Sequence, residues 1–121
     1  MAGSVRLGDL LLGLDLIKSR SPEMPISILI TLLGVATHSP DGRKNDTPLS
    51  IQQLSKQIGI PYTTVSRHLR YLGEFERPGE PGLNLVETDE LPSDRRQKFV
   101  RLTSSGLSLL NQFRHVVGIR S

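Results

Sequence analysis

The stretch from Ile51 to Leu72, IQQLSKQIGIPYTTVSRHLRYL, constrains the fold more than any other part of the chain. Apolar residues recur at helical spacing in each half, which predicts that each half is a short helix burying one stripe: Ile51, Leu54 and Ile58, then Val65, Leu69 and Leu72. Gly59 lies between the halves, and only a residue without a Cβ enters the left-handed backbone region at no steric cost. The stretch therefore predicts two helices joined by a tight turn.

The ends and the outer face of these helices can also be predicted. Ser50 followed by Gln53 indicates a capping box, and Pro61 suits the first turn of the second helix. Away from the core, that helix is expected to present Tyr62, Thr63, Thr64, Ser66, Arg67 and Arg70. Together with Lys56, the two arginines give the stretch a charge of +3 without an acidic residue, so this face can approach a polyanion. The same helical hairpin also occurs in all-α cores, and both readings stay open.

Composition bounds the class of protein. The 121 residues suit one domain, 1–121, with a single core. Lys and Arg exceed Asp and Glu by 15 to 12, a net charge too small to establish a nucleic-acid partner by itself. The absence of cysteine excludes disulfides and thiolate zinc sites and favours a cytoplasmic location. Asp9 and Asp15 interrupt the first apolar run, so no signal peptide is expected, and the longest apolar run is too short to span a bilayer.

Three more helices are predicted from apolar periodicity. Residues 5–20 form a leucine-rich helix that needs apolar cover on more than one side, and a second subunit would supply it; its stripe is Leu7, Leu10, Leu11, Leu14 and Ile17. The segment from Ile26 to Thr37 is apolar almost all round, which predicts a buried central helix. The last helix begins at a Thr103 N-cap and ends at Gly118, and the two terminal helices are expected to form a joint surface.

The remaining segments predict a small β-hairpin. Residues 83–87 and 99–102 alternate apolar with polar and are expected to be its two strands. The segment between them, residues 88–98, is expected to be a long loop that carries Arg95, Arg96 and Lys98 beyond the sheet. Residues 73–82, rich in Pro and Gly, are expected to hold no regular element, and residues 39–48 to form a polar loop. The fold class is therefore mainly α with a small β-hairpin.

The run from Leu49 to Leu110 resembles the winged helix-turn-helix core of the MarR-type transcriptional regulators. The most specific portion is LVETDELPSDRRQKFVRLTSSGLSLL, residues 85–110. The resemblance implies a helix-turn-helix at 50–72, a wing at 83–102, and terminal helices at 5–20 and 103–118 that form a dimerisation surface. His68 stands where the family usually has an apolar residue, and the 73–82 link is longer than usual.

The resemblance also implies roles for individual residues. Thr63, Thr64, Ser66 and Arg67 match recognition-helix positions that face the major groove. Arg96 matches the wing-tip arginine that enters the minor groove, and Asp94 the carboxylate that orients it. A guanidinium is attracted by the negative potential of a narrow minor groove. A solvated loop tip with a weak ion pair is the alternative for these wing residues. Lys56, Arg95, Lys98 and Arg101 are expected to neutralise phosphates, and Arg70 to meet base edges or phosphates.

These features favour a homodimeric, sequence-specific regulator of transcription, acting as a repressor on double-stranded DNA. A small aromatic effector is a further partner that the resemblance implies, although three Phe, two Tyr and no Trp offer it little lining. The alternative is a winged helix used for protein contact, because residues 74–90 hold six carboxylates against Arg77. An enzyme is not indicated, since there is no Walker loop, no metal-spaced ligand pair, and the three histidines are scattered. No catalytic, cofactor-binding or metal-binding residue is predicted.

Overall fold

The computed structural model describes residues 6–38, 49–91 and 94–118, so the predicted polar loop at 39–48 lies outside the described residues. These ranges form five helices and five strands, in the order α1 (Leu7–Lys18), α2 (Ile26–His38), β1 (Leu49–Ser50), α3 (Ile51–Ile58), α4 (Tyr62–Leu72), β2 (Phe75–Arg77), β3 (Glu80–Pro81), β4 (Val86–Leu91), β5 (Asp94–Leu102) and α5 (Ser104–Val117). The predicted class, mainly α with a small β-hairpin, is confirmed.

Local signals set the geometry of the helix-turn-helix as predicted. At the start of α3, the Gln53 amide donates to the Ser50 hydroxyl and the Ser50 amide donates to the Gln53 side chain, each at 3.0 Å. Gly59 ends α3 in the left-handed region at φ 70°, where a side chain would be strained. Pro61 is the N-cap of α4 and makes no side-chain capping bond. The capping box of Ser50 and Gln53 thus fixes the start of α3, and Gly59 and Pro61 fix the turn between the two helices.

The core lies where α2 packs against α3, α4 and β5. Leu32, Leu54 and Leu72 are fully buried there, and burial of a leucine side chain is worth about 1.5–3 kcal/mol. Helix α2 is the buried central helix that was predicted, although Ile26 and Ile30 on it remain 75% and 43% exposed. A helix with apolar residues on all sides gives no sequence signal for the side that the rest of the fold leaves exposed.

The wing strands are longer than predicted. A three-stranded sheet has the order β1-β5-β4, and β4 pairs with β5 antiparallel from Val86 opposite Leu102 to Glu90 opposite Lys98. Much of the segment at 88–98 expected to be a loop is therefore strand. Both faces of this outer part meet solvent where they are described, so no apolar alternation marks it as strand.

The 73–82 link was expected to contain no regular element, and this expectation was wrong. Its residues form a second, two-stranded sheet, β2 with β3, which turns at Gly79 with φ 82°. The amides that follow this hairpin donate to carbonyls at the end of α4, including Leu83 to Tyr71 at 3.1 Å and Leu85 to Leu72 at 2.7 Å. These bonds explain why β4 begins at Val86 and not at Leu83, and they satisfy carbonyls that a helix end leaves unpaired.

The terminal helices pack on each other, as expected. A Cβ built at Gly13 of α1 would lie 2.7 Å from Val117 Cγ1 and 2.9 Å from Phe113 Cε2 in α5, so glycine permits the close approach. Of the predicted stripe of α1, only Ile17 is buried. Ile17 and Gly13 are buried and Leu16 packs on the core, whereas the other members of the stripe are exposed: Leu7 84%, Leu10 38%, Leu11 61% and Leu14 38%.

Candidate nucleic-acid interface

Helix α4 has a sharply divided surface. Its inner face buries Val65, His68, Leu69 and Leu72. Its outer face exposes Tyr62, Thr63, Arg67 and Arg70 and half exposes Thr64 and Ser66, while Lys56 is exposed on α3. The six side chains of α4 that were predicted to point away from the core are therefore exposed or half-exposed. Since the outer face is cationic and rich in donors, it can approach a polyanion and hydrogen-bond to it.

Two side-chain hydrogen bonds join α4 to α2 and to the turn that precedes it. The hydroxyl of Thr31, which is fully buried in α2, hydrogen-bonds to His68 Nδ1 at 2.8 Å. One turn further along α4, the hydroxyl of Tyr71 hydrogen-bonds to that of Ser21. Burial, and secondarily the charge of Arg67, lowers the pKa of His68 below 6.5, which favours the neutral ring. The sequence reading did not identify Ser21, Thr31 or Tyr71, whose bonds join residues 37 and 50 positions apart.

One face of the wing looks toward α4. Lys98 lies two residues before the buried Val100, and side chains two apart in a strand share a face. Thr88 is opposite Val100 in the register and so belongs to the same face. Between this face and α4 lies a cleft of about 640 Å³, called here the helix–wing cleft. Its polar lining includes Ser66 and Arg70 from α4 and Thr88 and Lys98 from the wing.

On the opposite face of the wing, an arginine is paired with two carboxylates. Arg101 Nε lies 2.6 Å from a carboxylate oxygen of Glu87, and its Nη2 lies 3.5 Å from Asp89. Arg101 was expected to contact phosphate, but it alternates with Lys98 along β5 and sits between these two carboxylates. Two of the six carboxylates in residues 74–90 are therefore paired with a cation on the side of the sheet away from Lys98.

The residues predicted to form the wing tip are placed by their backbone alone. Asp94 opens β5 and pairs in register with Leu91, and Arg95 and Arg96 follow it in the strand. Their side chains lie outside the described part of the structure, so the roles predicted for them stay predictions.

No group of three or more His, Asp or Glu side chains within residues 6–38, 49–91 and 94–118 could hold a metal ion. None of the helices seen there has the length and apolarity needed to cross a bilayer.

No family model and no curated protein matches the sequence. Solved structures do match the fold. A MepR mutant from a multidrug-resistant S. aureus clinical isolate has 26% identity and a TM-score of 0.55, over 79% of this chain and 59% of that one. The S. aureus MepR–DNA complex has 23% identity and a TM-score of 0.61, over 90% and 76%. The PcaV transcriptional regulator from Streptomyces coelicolor, in complex with its natural ligand, has 21% identity and a TM-score of 0.52, over 83% and 57%.

The chain spans less than two thirds of the length of the MepR mutant and PcaV structures, at 59% and 57%. All three neighbours are MarR-family winged-helix regulators. The helix order, the antiparallel wing and the position of α4 beside it agree with that architecture. The chain therefore has the winged helix-turn-helix fold of the MarR-type transcriptional regulators, as its sequence resemblance predicted.

Proposed function

We propose that the protein is a sequence-specific, double-stranded-DNA-binding regulator of transcription that acts as a homodimer and a repressor. The observation that carries the proposal is the outer face of α4, where Arg67 and Arg70 are exposed and Arg70 shares a cleft with Lys98 of the wing. A helix of this width fits the major groove, and cations on both elements can neutralise phosphates. One of the structural neighbours, MepR, was solved in complex with DNA.

Within this proposal, the residues of α3, α4 and the wing divide into three roles. Thr63, Thr64, Ser66 and Arg67 read base edges in the major groove, with Tyr62 beside them. Lys56, Arg95 and Lys98 contact phosphates, and Arg96, oriented by Asp94, enters the minor groove. These assignments continue the sequence predictions, and the exposure of the α3 and α4 members supports them.

The second subunit is proposed from α1. Four of its leucines, Leu7, Leu10, Leu11 and Leu14, are exposed along one stripe. A contiguous apolar patch on a protein surface marks an interaction site more often than scattered single residues do. A two-fold contact through helices 5–20 and 103–118 would cover this stripe and place two copies of α4 on one duplex, about one helical turn apart.

A salt titration of duplex binding tests the proposal. Random and selected duplexes would be titrated by fluorescence anisotropy at low and moderate salt. We expect binding at low salt whose affinity falls steeply as salt rises, because each neutralised phosphate releases a counterion. No binding at low salt would refute the proposal and would favour a role in protein contact.

We also propose that a small aromatic molecule can act as an effector. The support comes from two neighbours, since PcaV was solved with its natural ligand and MepR with ethidium bromide. A thermal-shift screen of aromatic acids is the test, and a raised unfolding midpoint together with weakened duplex binding is expected. A screen in which no acid shifts the midpoint would contradict this part of the proposal.

A further inference from the structure

One side-chain hydrogen bond holds the end of α4 against the turn that follows α1. The hydroxyl of Tyr71, in the last turn of α4, bonds to the hydroxyl of Ser21. Ser21 is only 7% exposed, and Tyr71 is half-buried and packs on the core. Because the bond is shielded in this way, water competes for it less than for a surface bond, and it can fix the separation of the two segments.

Ser21 is in turn fixed to the end of α1. Its amide donates to the carbonyl of Ile17, in the last turn of that helix, at 3.3 Å. Helix α1 packs mainly on α5 and has no extensive contact with α4 among the described residues. The Ser21–Tyr71 bond is therefore a direct side-chain link between the end of α1 and α4.

The backbone of Tyr71 also joins α4 to the segment that leads into the wing. Its carbonyl accepts a hydrogen bond from the amide of Leu83 at 3.1 Å, and Leu83 lies three residues before the first residue of β4. Tyr71 thus bonds to the end of α1 with its side chain and to the start of the wing with its backbone. A residue in this position can orient both DNA-facing elements relative to α1.

A small rotation at this end of α4 produces a large displacement at the other end. Thr63, in the first turn of α4, lies eight residues before Tyr71, about 12 Å along the helix axis. A tilt of about 10° about Tyr71 would therefore displace Thr63 by about 2 Å. That displacement exceeds the tolerance of about 0.5 Å within which a preorganised binding site must be held.

In the proposed homodimer, α1 lies at the contact between the subunits and each α4 lies on the DNA. The orientation of α4 relative to α1 then sets the separation of the two half-sites that one dimer can bind. We infer that Tyr71 is a positioning residue whose bond to Ser21 fixes the half-site spacing that the protein accepts, an inference that rests on the proposed function. Tyr71 acts through the orientation of α4 and not by touching a base.

The test compares two duplexes, one with the selected half-site spacing and one with a single base pair added between the half-sites. The added base pair turns the second half-site by about 35° and moves it by about 3.4 Å. Wild type should bind the longer duplex more weakly. Tyr71→Phe and Ser21→Ala, which each remove one hydroxyl, should lower the ratio of the two affinities by about 2- to 10-fold, the factor that corresponds to one hydrogen bond.

A double variant separates the hydrogen bond from the other effects of each substitution. If the two hydroxyls act through one bond, the variant with both Tyr71→Phe and Ser21→Ala should lose no more of the spacing preference than either single variant. Ser19→Ala is the matched control, because this exposed serine donates to the Leu16 carbonyl of α1 at 2.6 Å. It should keep the wild-type ratio.

Urea denaturation of each full-chain variant measures the stability that the same substitutions cost. A purely structural role for Tyr71 would lower the free energy of unfolding and weaken binding to both duplexes by the same factor, so that their ratio would stay as in wild type.

Three results would overturn the positioning role and leave DNA binding itself standing. They are an unchanged ratio in the two single variants, losses that add in the double variant, and a wild type that binds both spacings equally. If wild type binds neither duplex at low salt, the proposed function fails and the inference fails with it.

Discussion

Helices α1 and α4 are nearly equal in length, at 12 and 11 residues, but they use their surfaces in opposite ways. Helix α4 buries its apolar residues and exposes hydroxyls and arginines. Helix α1 buries Gly13 and Ile17 and exposes leucines, of which Leu7 is 84% and Leu11 61% exposed. A polar outer face is stable in water and can bind a polyanion. An apolar outer face is stabilised when a partner buries it, because apolar surface is then removed from water.

The two helices are also held differently. Helix α4 contacts α2, α3, β2 and β4. It also makes side-chain hydrogen bonds from His68 to Thr31 and from Tyr71 to Ser21. Helix α1 packs mainly on α5, across a seam made close by Gly13. The difference indicates that several elements fix the orientation of α4, whereas α1 is covered mainly by α5 and keeps an apolar face exposed.

The largest expected effect comes from placing a charge on the apolar face of α1. Leu11→Glu should abolish self-association, because covering one leucine is worth about 1.5–3 kcal/mol and a two-fold interface contains it twice. Sedimentation equilibrium measures the change. Gln57→Glu adds the same charge to an exposed position of α3 and should leave association as in wild type. A Leu11→Glu protein that still dimerises would break the comparison.

On the outer face of α4, Arg67→Ala should cost about 1–3 kcal/mol of binding free energy on selected duplex and much less on random duplex. The reason is that the proposed role of Arg67 is a base contact and not a general attraction to phosphate. Lys98→Ala should weaken all sequences alike. Equal losses on selected and random DNA for both variants, measured by anisotropy, would contradict this division.

On the inner face of α4, Thr31→Val should lower the free energy of unfolding by about 1–3 kcal/mol, because His68 loses its buried hydrogen-bond partner. Urea denaturation measures it. Thr37→Val is the matched control, since this exposed threonine of the same helix donates to the Leu33 carbonyl within α2. A loss no larger than that of the control would show that the Thr31–His68 hydrogen bond contributes little to the free energy of unfolding.

The smallest effect is the pH dependence that His68 contributes. Because its pKa is lowered in the folded state, the unfolded chain binds the proton more readily. The free energy of unfolding should therefore fall as pH decreases below about 6.5 and level off below the folded-state pKa. In His68→Gln this part of the pH dependence should disappear. Parallel profiles for the two proteins between pH 7.5 and 5 would refute it.

The helix-turn-helix could be predicted in detail because its signals are local. Ser50 and Gln53, three residues apart, form the capping box at the start of α3. Gly59 adopts the left-handed backbone region, in which a residue with a Cβ would be strained. The stripe on α1 could be found but not oriented. Periodicity places leucines on one face, whereas the close approach of Gly13 to α5 decides which face is inside.

Long-range features gave no local signal. The hydroxyls of Ser21 and Thr31 find partners on α4 far along the chain, and no spacing rule connects them. His68 could have raised the question, because a histidine three residues after Val65 falls on the buried stripe and needs a hydrogen-bond partner. The outer wing was missed because strand pairing there joins charged residues, such as Glu90 opposite Lys98.

Selection of bound fragments from a random duplex library tests the central claim most directly. If two copies of α4 and the wing grip one duplex, the selected sequences should share a two-fold symmetric consensus with half-sites about one helical turn apart. Recovery of fragments with no shared sequence, or of a single half-site without a symmetric partner, would contradict the account.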